Sequence, residues 1–329
     1  MPGTDPREAI AIVIGELPEL PYLPELPARG PGADLVGRTA SLLVDLPVQT
    51  TAGGWRLAAA PGRDLSRAAS LLSADLDEME EAAATCDGPF KIQACGPWTL
   101  AASLELSRSI EPALADPGAV ADLVASLAEG LAGHVAAVRR RLPSATVILQ
   151  LDEPALPGVL AGSVPTASGF YRVAAVDDSD AADSLRAVLD AAAAPTVVHC
   201  CAPEIPFSCL KKAGATAVSF DLGQFRRADE EAFGEAVESG VGMFIGAVPA
   251  RPQPRARGQR PDSDGREPAT AVIDLWRRIG LPLADLTRQV VMTPACGLAG
   301  APPSYARTAL ERSQAAARLI PELIEEGVT

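Results

Sequence analysis

Aromatic side chains are scarce in this chain of 329 residues, at 4%, and histidine occurs only twice, as His134 and His199. With so few rings, alanine, leucine and valine dominate the core, a composition that suits helices packed on a parallel sheet. Positive charge is short as well: 28 Lys and Arg against 42 Asp and Glu give a formal charge of -14. That deficit argues against nucleic acid or an anionic membrane as a partner, since both repel an acidic surface. Continuous apolar runs fall well short of the roughly 18 residues that a membrane span requires. Met1 is followed by Pro2-Gly3-Thr4-Asp5, not by the basic and then apolar stretch of a signal peptide. A cytoplasmic, reduced protein is the expectation. Its six cysteines then point to a metal or to catalysis before disulfides. No G-x-G-x-x-G follows a strand, which disfavours a dinucleotide-binding sheet.

What is present is a repeated alternation of short apolar runs and amphipathic stretches. Strands are expected at 21–26, 90–95, 146–151, 196–199, 217–220, 243–247 and 289–293. Asp116-Pro117 opens a helix, the acid as N-cap and the proline in its first turn. Val120, Leu123, Val124, Leu127, Leu131, Val135 and Val138 follow at helical spacing, and Arg139-Arg140-Arg141 close it. Further helices are expected at 181–193, 205–212, 230–238, 269–278 and 304–325. So many strand–helix cycles imply an α/β fold of the (β/α)8 TIM type, as one domain over 1–329. Two stretches break the pattern. Residues 17–27, with four prolines, cannot be helical and read as an extended segment carrying a loop. Residues 251–268 read as a long mobile loop, either a solvated insertion or a lid or docking segment.

Chemistry gathers at three strand ends. His199-Cys200-Cys201 ends one strand, Asp221 the next, and Cys296, in Thr293-Pro294-Ala295-Cys296-Gly297, the last. Barrel enzymes work at the C-terminal ends of their strands, and this N, S and O donor set is the one zinc prefers. Taken singly, a cysteine there is a small filler and a histidine a hydrogen-bonded core residue; their convergence on one rim argues for zinc. Cys200 is expected to point away from Cys201, because neighbouring strand residues alternate faces. Cys86, Cys95 and Cys209 read as packing residues and His134 as structural.

His199-x-Cys201, Asp221 and Cys296-Gly297-Leu298 resemble the zinc site of cobalamin-independent methionine synthase, in its C-terminal catalytic barrel. Gly96-Pro97-Trp98-Thr99 and Gln150-Leu151-Asp152-Glu153-Pro154-Ala155-Leu156 agree, and the likeness runs over residues 2–300, similar to short single-domain members. The resemblance implies Zn2+ on His199, Cys201, Asp221 and Cys296, with homocysteine as methyl acceptor and methionine as product. It implies that Asp152 takes the substrate ammonium and serves catalysis, with Glu25 and Glu153 also at the substrate. Zinc deprotonates a coordinated thiol outright. One imidazole, two thiolates and a carboxylate leave such a site at about -1, which favours thiol alkylation over water activation.

Four departures from the family matter. Asp221 stands where glutamate is usual. The first strand, with its Gly-Ser, is missing or truncated before Pro2, so either the natural start lies upstream or the barrel has an open seam. The strand holding Ile245-Gly246-Ala247-Val248 lacks the family's proton-donating histidine, and Ser103 falls where a pterin-stacking tryptophan belongs. Methyltetrahydrofolate needs a general acid at its leaving nitrogen, so the expected donor is a methylcorrinoid, free or on a corrinoid protein. The rivals are a catalytically inactive zinc- or thiol-binding paralogue, a methyltransferase for another small thiol, and a uroporphyrinogen-type decarboxylase, which the few arginines near strand ends disfavour.

Overall fold

The computed structural model describes residues 1–253 and 264–327. Nine strands are described: β1 (Val48–Thr51), β2 (Gly54–Leu57), β3 (Pro89–Cys95), β4 (Leu104–Glu105), β5 (Thr146–Asp152), β6 (Thr196–Cys200), β7 (Ala217–Asp221), β8 (Gly242–Val248) and β9 (Val290–Pro294). The helices are α1 (Pro6–Glu16), α2 (Leu35–Ala40), α3 (Arg63–Ala82), α4 (Pro97–Ser103), α5 (Pro117–Arg141) and α6 (Leu156–Leu160). They continue with α7 (Asp178–Ala192), α8 (Phe207–Lys212), α9 (Glu230–Glu238), α10 (Arg266–Ile279), α11 (Leu283–Gln289) and α12 (Pro303–Glu325).

Six strands form one parallel sheet in the order β3-β5-β6-β7-β8-β9. Each neighbour is the next in the chain apart from the small β4, as the βαβ crossover dictates. On β5, Val147, Leu149 and Leu151 are buried in the main core, and Ile148, Gln150 and Asp152 face the other way. A small apolar cluster of Val197, Ala217 and Phe244, joined by Leu20, Ile148 and Val291, packs on that second face. The sheet therefore curls about an interior of its own, as in a TIM-like fold. A second sheet, β1-β2-β4, was not foreseen; β1 and β2 form a hairpin.

Closure into eight strands is not what the described residues show. The expected strand at 21–26 makes one parallel bridge, Tyr22 with Lys91, on the free edge of β3. Leu23 N–H bonds to Lys91 O and Lys91 N–H to Pro21 O, both at 2.9 Å. Prolines at 21, 24 and 27 lack the N–H that a longer ladder needs. On the far side, Met1 packs with Leu26, Val248 and Leu298, and its amino group donates to Glu25 O at 2.6 Å.

The helix opened by Asp116-Pro117 stands as expected: the Asp116 carboxylate accepts from Gly118 and Ala119 N–H. This α5 is long and apolar enough to cross a membrane, which the reading of apolar runs missed. It turns Leu123, Leu127, Leu131, Val135 and Val138 into the core instead. The expected loop at 251–268 is shorter at its end, because α10 starts at Arg266. Residues 254–263 of that expectation lie outside the described residues.

Candidate active site

The rim at the C-terminal ends of β5, β6 and β9 gathers the polar groups. His199 is buried on β6, and its Nδ1 lies 2.9 Å from Ser219 Oγ, its register partner on β7. This contact orients the ring and leaves Nε2 for the rim, the arrangement that metal-binding histidines use. Cys201 follows one residue beyond β6, and Cys296 two residues beyond β9. Their sulfurs are 3.5 Å apart, and the ligand atoms of His199, Cys201 and Cys296 all lie within 4.8 Å of one another. Two thiolates at about 2.3 Å from a tetrahedral zinc stand roughly 3.7 Å apart, so the sulfurs are already close to a metal-binding spacing.

Gly246 allows this approach. A Cβ on it would stand 2.5 Å from Ala295 Cα and 2.8 Å from Phe220 O. Ala295 N–H, bonded to Val248 O at 2.8 Å, then pins the turn that presents Cys296.

The three donors are electrostatically linked. Hydrogen bonds from Cys201 and then His199 draw the Cys296 thiol down to about 4. Cys201 moves upward, first through its bond to Cys296 and then through burial, so the proton resides on Cys201. Burial opposes a charged His199, but the Cys296 sulfur and the Asp152 carboxylate outweigh it, and its pKa rises. These shifts favour a thiolate on Cys296 stabilised by its two neighbours.

Two of the three carboxylates expected at the substrate lie at this rim. Asp152 ends β5 and accepts from Gln150 Nε2 at 2.7 Å; burial raises its pKa, against the pull of His199. Glu25 lies in the extended segment beside β3, where burial lifts it to about 7 despite the nearby Arg38 guanidinium. Its charge is felt by Asp152 and by Lys91, whose Nζ stands 5.1 Å over the Tyr22 ring.

Glu153 stands apart from this group. It is fully buried and turned away from the rim: Oε1 accepts from Trp98 N–H at 2.9 Å and Oε2 from Thr99 N–H and Oγ at 2.7 Å. It caps α4, and a Cβ at Gly96 would overlap its carboxylate, which explains the Gly-Pro-Trp-Thr motif. Asp221 is also not brought into the thiol–imidazole cluster. Its Oδ1 accepts Gly223 N–H at 2.8 Å and caps the turn after β7.

Cys200 is buried on the opposite face, as alternation requires, with its Sγ 4.0 Å from Ala202 O. Cys95 and Cys209 are buried, Cys86 is half-buried, and His134 is buried in α5. Ser103 ends α4 and lines a surface cavity with Glu105, Ile110 and Pro165. Ser219 beside His199 and Lys91 beside the two carboxylates were not read from the sequence. Lys91 and Gln93 carried a signal, being polar at alternate positions of an otherwise apolar strand.

No protein-family model and no curated protein sequence matches the chain. Among solved structures it is similar to a B12-independent methionine synthase from a Shewanella species, in complex with selenomethionine. The TM-score is 0.52 at 14% identity, over 76% of this chain and 67% of that one. The likeness is one of fold. It supports a TIM-like α/β architecture, and the cluster of His199, Cys201 and Cys296 stands in this chain independently of it.

Proposed function

We propose that this protein transfers a methyl group to the thiol of homocysteine, making methionine, at a zinc site of His199, Cys201 and Cys296. The observation that carries the reading is that one imidazole and two thiols converge within 4.8 Å at the rim of a methionine-synthase-like fold. The donor set fits zinc, and three protein ligands with an open fourth position are the pattern of catalytic rather than structural zinc. Bound zinc would supply the positive charge that keeps a substrate thiol ionised at neutral pH.

The chain's own groups do the rest. Ser219 holds the His199 ring in one orientation. Asp152 and Glu25 accept the ammonium group, and that cation would pull both carboxyls back toward ionisation. Fixing both ends of the amino acid points its sulfur at the rim, which is an orientation effect. With three ligands the zinc site is formally neutral, so an arriving thiolate leaves it at only about -1 and stays nucleophilic.

The fold reading that accompanies this is one domain in which the six-stranded sheet is part of a (β/α)8 barrel and the segment 21–26 takes a strand's place. Ile245 and Val248 lie in apolar clusters, and β8 brings no acid or base to the rim. A methylcorrinoid, free or on a partner protein, therefore remains the proposed donor, and the cytoplasm the proposed location.

The test is metal analysis with an X-ray absorption spectrum of the zinc-loaded protein, with and without homocysteine. One zinc per chain and a new sulfur in its shell on adding homocysteine are expected. An unchanged shell would sink the reading. Methyl transfer from methylcobalamin and not from methyltetrahydrofolate is expected, and the reverse would overturn the donor. Sulfur entry without turnover from any donor would identify an inactive thiol-binding relative.

A further inference from the structure

The amino end of the proposed substrate has more acceptors waiting for it than the two carboxylates. Gln93 lies on β3 between Ile92 and Ala94, which are buried in the main core. Alternation puts Gln93 with Lys91 on the other face, and Lys91 there is close enough to Asp152 and Glu25 to feel both charges.

The orientation of its amide is fixed by its partner. Gln93 Nε2 donates to Leu23 O at 2.6 Å. After the rungs between Lys91 and the segment 21–23, this carbonyl is the one that the Gln93 main-chain N–H would take in a regular parallel ladder. A carbonyl only accepts, so the nitrogen must be the atom facing it, and Oε1 is turned away. That Oε1 is buried and has no hydrogen-bond partner. Glu25 Oε1, two residues beyond Leu23, is buried and likewise makes no hydrogen bond, its neighbour Arg38 Nε standing 3.9 Å away. Native folds rarely leave such acceptors unmade, because burial has removed water and given nothing back. Two buried acceptors without hydrogen bonds on adjacent segments, with Asp152 close to Glu25, call for a ligand with several N–H donors and positive charge. A primary ammonium offers three donors in a tetrahedral fan.

We propose that Gln93 is a specificity-determining residue whose Oε1, with Glu25 and Asp152, completes a three-acceptor cradle for the α-ammonium group of homocysteine. This rests on the homocysteine reading above. It assigns Gln93 to selection of amino thiols over simple thiols, and not to methyl transfer itself. Arg38, whose Nε stands 3.9 Å from Glu25, and Lys91 are the resident cations beside the cradle, and the lowered pKa of Lys91 reflects burial only partly offset by Asp152 and Glu25.

The test is calorimetric titration of the zinc-loaded full chain with three thiols: homocysteine, 3-aminopropane-1-thiol, which keeps the ammonium alone, and 4-mercaptobutanoate, which keeps the carboxylate alone. Wild type should bind the two ammonium-bearing thiols more tightly than the third. Gln93→Met should weaken both by about tenfold or more, the usual cost of a lost hydrogen bond to a charged group. It should leave 4-mercaptobutanoate within about twofold. Equal weakening of all three, or no change, overturns the proposal while leaving the homocysteine reading intact. Wild type that binds none of the three overturns that reading itself. Should Gln93→Met fail to fold, Gln93→Glu keeps an acceptor oxygen and should preserve the preference for ammonium-bearing thiols. Loss of that preference would count against the cradle.

Discussion

Cys201 and Cys296 are 95 residues apart in sequence, yet their sulfurs stand 3.5 Å from each other at the rim. The ends of β6 and β9, separated by β7 and β8, must curl toward one another to achieve this. If the pair grips zinc with His199, then Cys296→Ser should lower zinc affinity well beyond the about 10–100-fold that a second-shell change costs. Asp221→Ala should lower it far less, because the loss is a turn contact to Gly223 worth about 1 kcal/mol of stability. Competition with a chromogenic chelator reads both. An Asp221→Ala loss as large as that of Cys296→Ser would show that the carboxylate swings onto the metal.

Gly246 controls whether Cys296 can reach its partners. A methyl group there meets main-chain atoms of Ala295 and Phe220, at 2.5 and 2.8 Å, and neither belongs to a flexible side-chain tip. Gly246→Ala should therefore displace the Ala295-Cys296 turn, cutting zinc affinity by about tenfold or more and stability by about 1–3 kcal/mol, as overpacking does. Chelator competition and urea unfolding on the same sample separate the two effects. Unchanged zinc affinity would mean that the turn does not depend on this close approach.

The strands of the main sheet were legible in the sequence because each is a nearly continuous apolar run bounded by glycine, proline or a charge. The strand around Val147, Leu149 and Leu151 is the clearest case. The start of α5 was legible because Asp116-Pro117 specifies a helix N-terminus through local bonds alone. Side-chain direction was not. Glu153 and Asp152 are neighbours in one motif, and nothing local says that α4 would bring the N–H groups of Trp98 and Thr99 to Glu153 and leave Asp152 to the rim. Asp221 poses the same problem on a smaller scale, since the turn after β7 offers it a donor two residues away. Gln93 gave only the hint of its alternation. Its meaning depends on Leu23, 70 residues distant, accepting from one end of its amide.

Behind the rim lies a buried ionic group that the sequence did not announce. Asp75 of α3 accepts from Arg29 Nη1 and Nη2 at 2.8 and 2.7 Å and also pairs with Arg38 Nη1. Arg38 Nε in turn stands 3.9 Å from Glu25. The Asp75 and Arg38 side chains are only 1% and 3% exposed, so water cannot compensate a lost charge. Asp75→Asn should cost about 3–5 kcal/mol, the penalty for leaving buried cations uncompensated. Equilibrium urea unfolding measures it, and a loss below about 1 kcal/mol would show that the group is solvated in solution.

His134 supplies a pH dependence with a definite sign. It is 5% exposed in α5, and burial, helped by the nearby Arg38 and Arg141 charges, lowers its pKa from 6.5 to about 4. Between those values the unfolded chain binds a proton that the folded chain refuses. The stability contributed by neutral His134 is thus complete above pH 6.5 and is lost as the pH falls toward 4. By pH 5 the loss is about 2 kcal/mol, at 1.36 kcal/mol per pH unit. Other buried groups titrate in the same window. Glu25, raised by burial to about 7, acts in the opposite direction, favouring the fold as the pH drops below 7. The difference between wild type and His134→Gln isolates the histidine, because the remaining groups cancel between the two proteins. Urea unfolding at pH 7.5 and pH 5 should show wild type losing about 2 kcal/mol more than the variant over this interval. Parallel pH profiles would mean that His134 takes up its proton in the folded state as easily as in the unfolded chain.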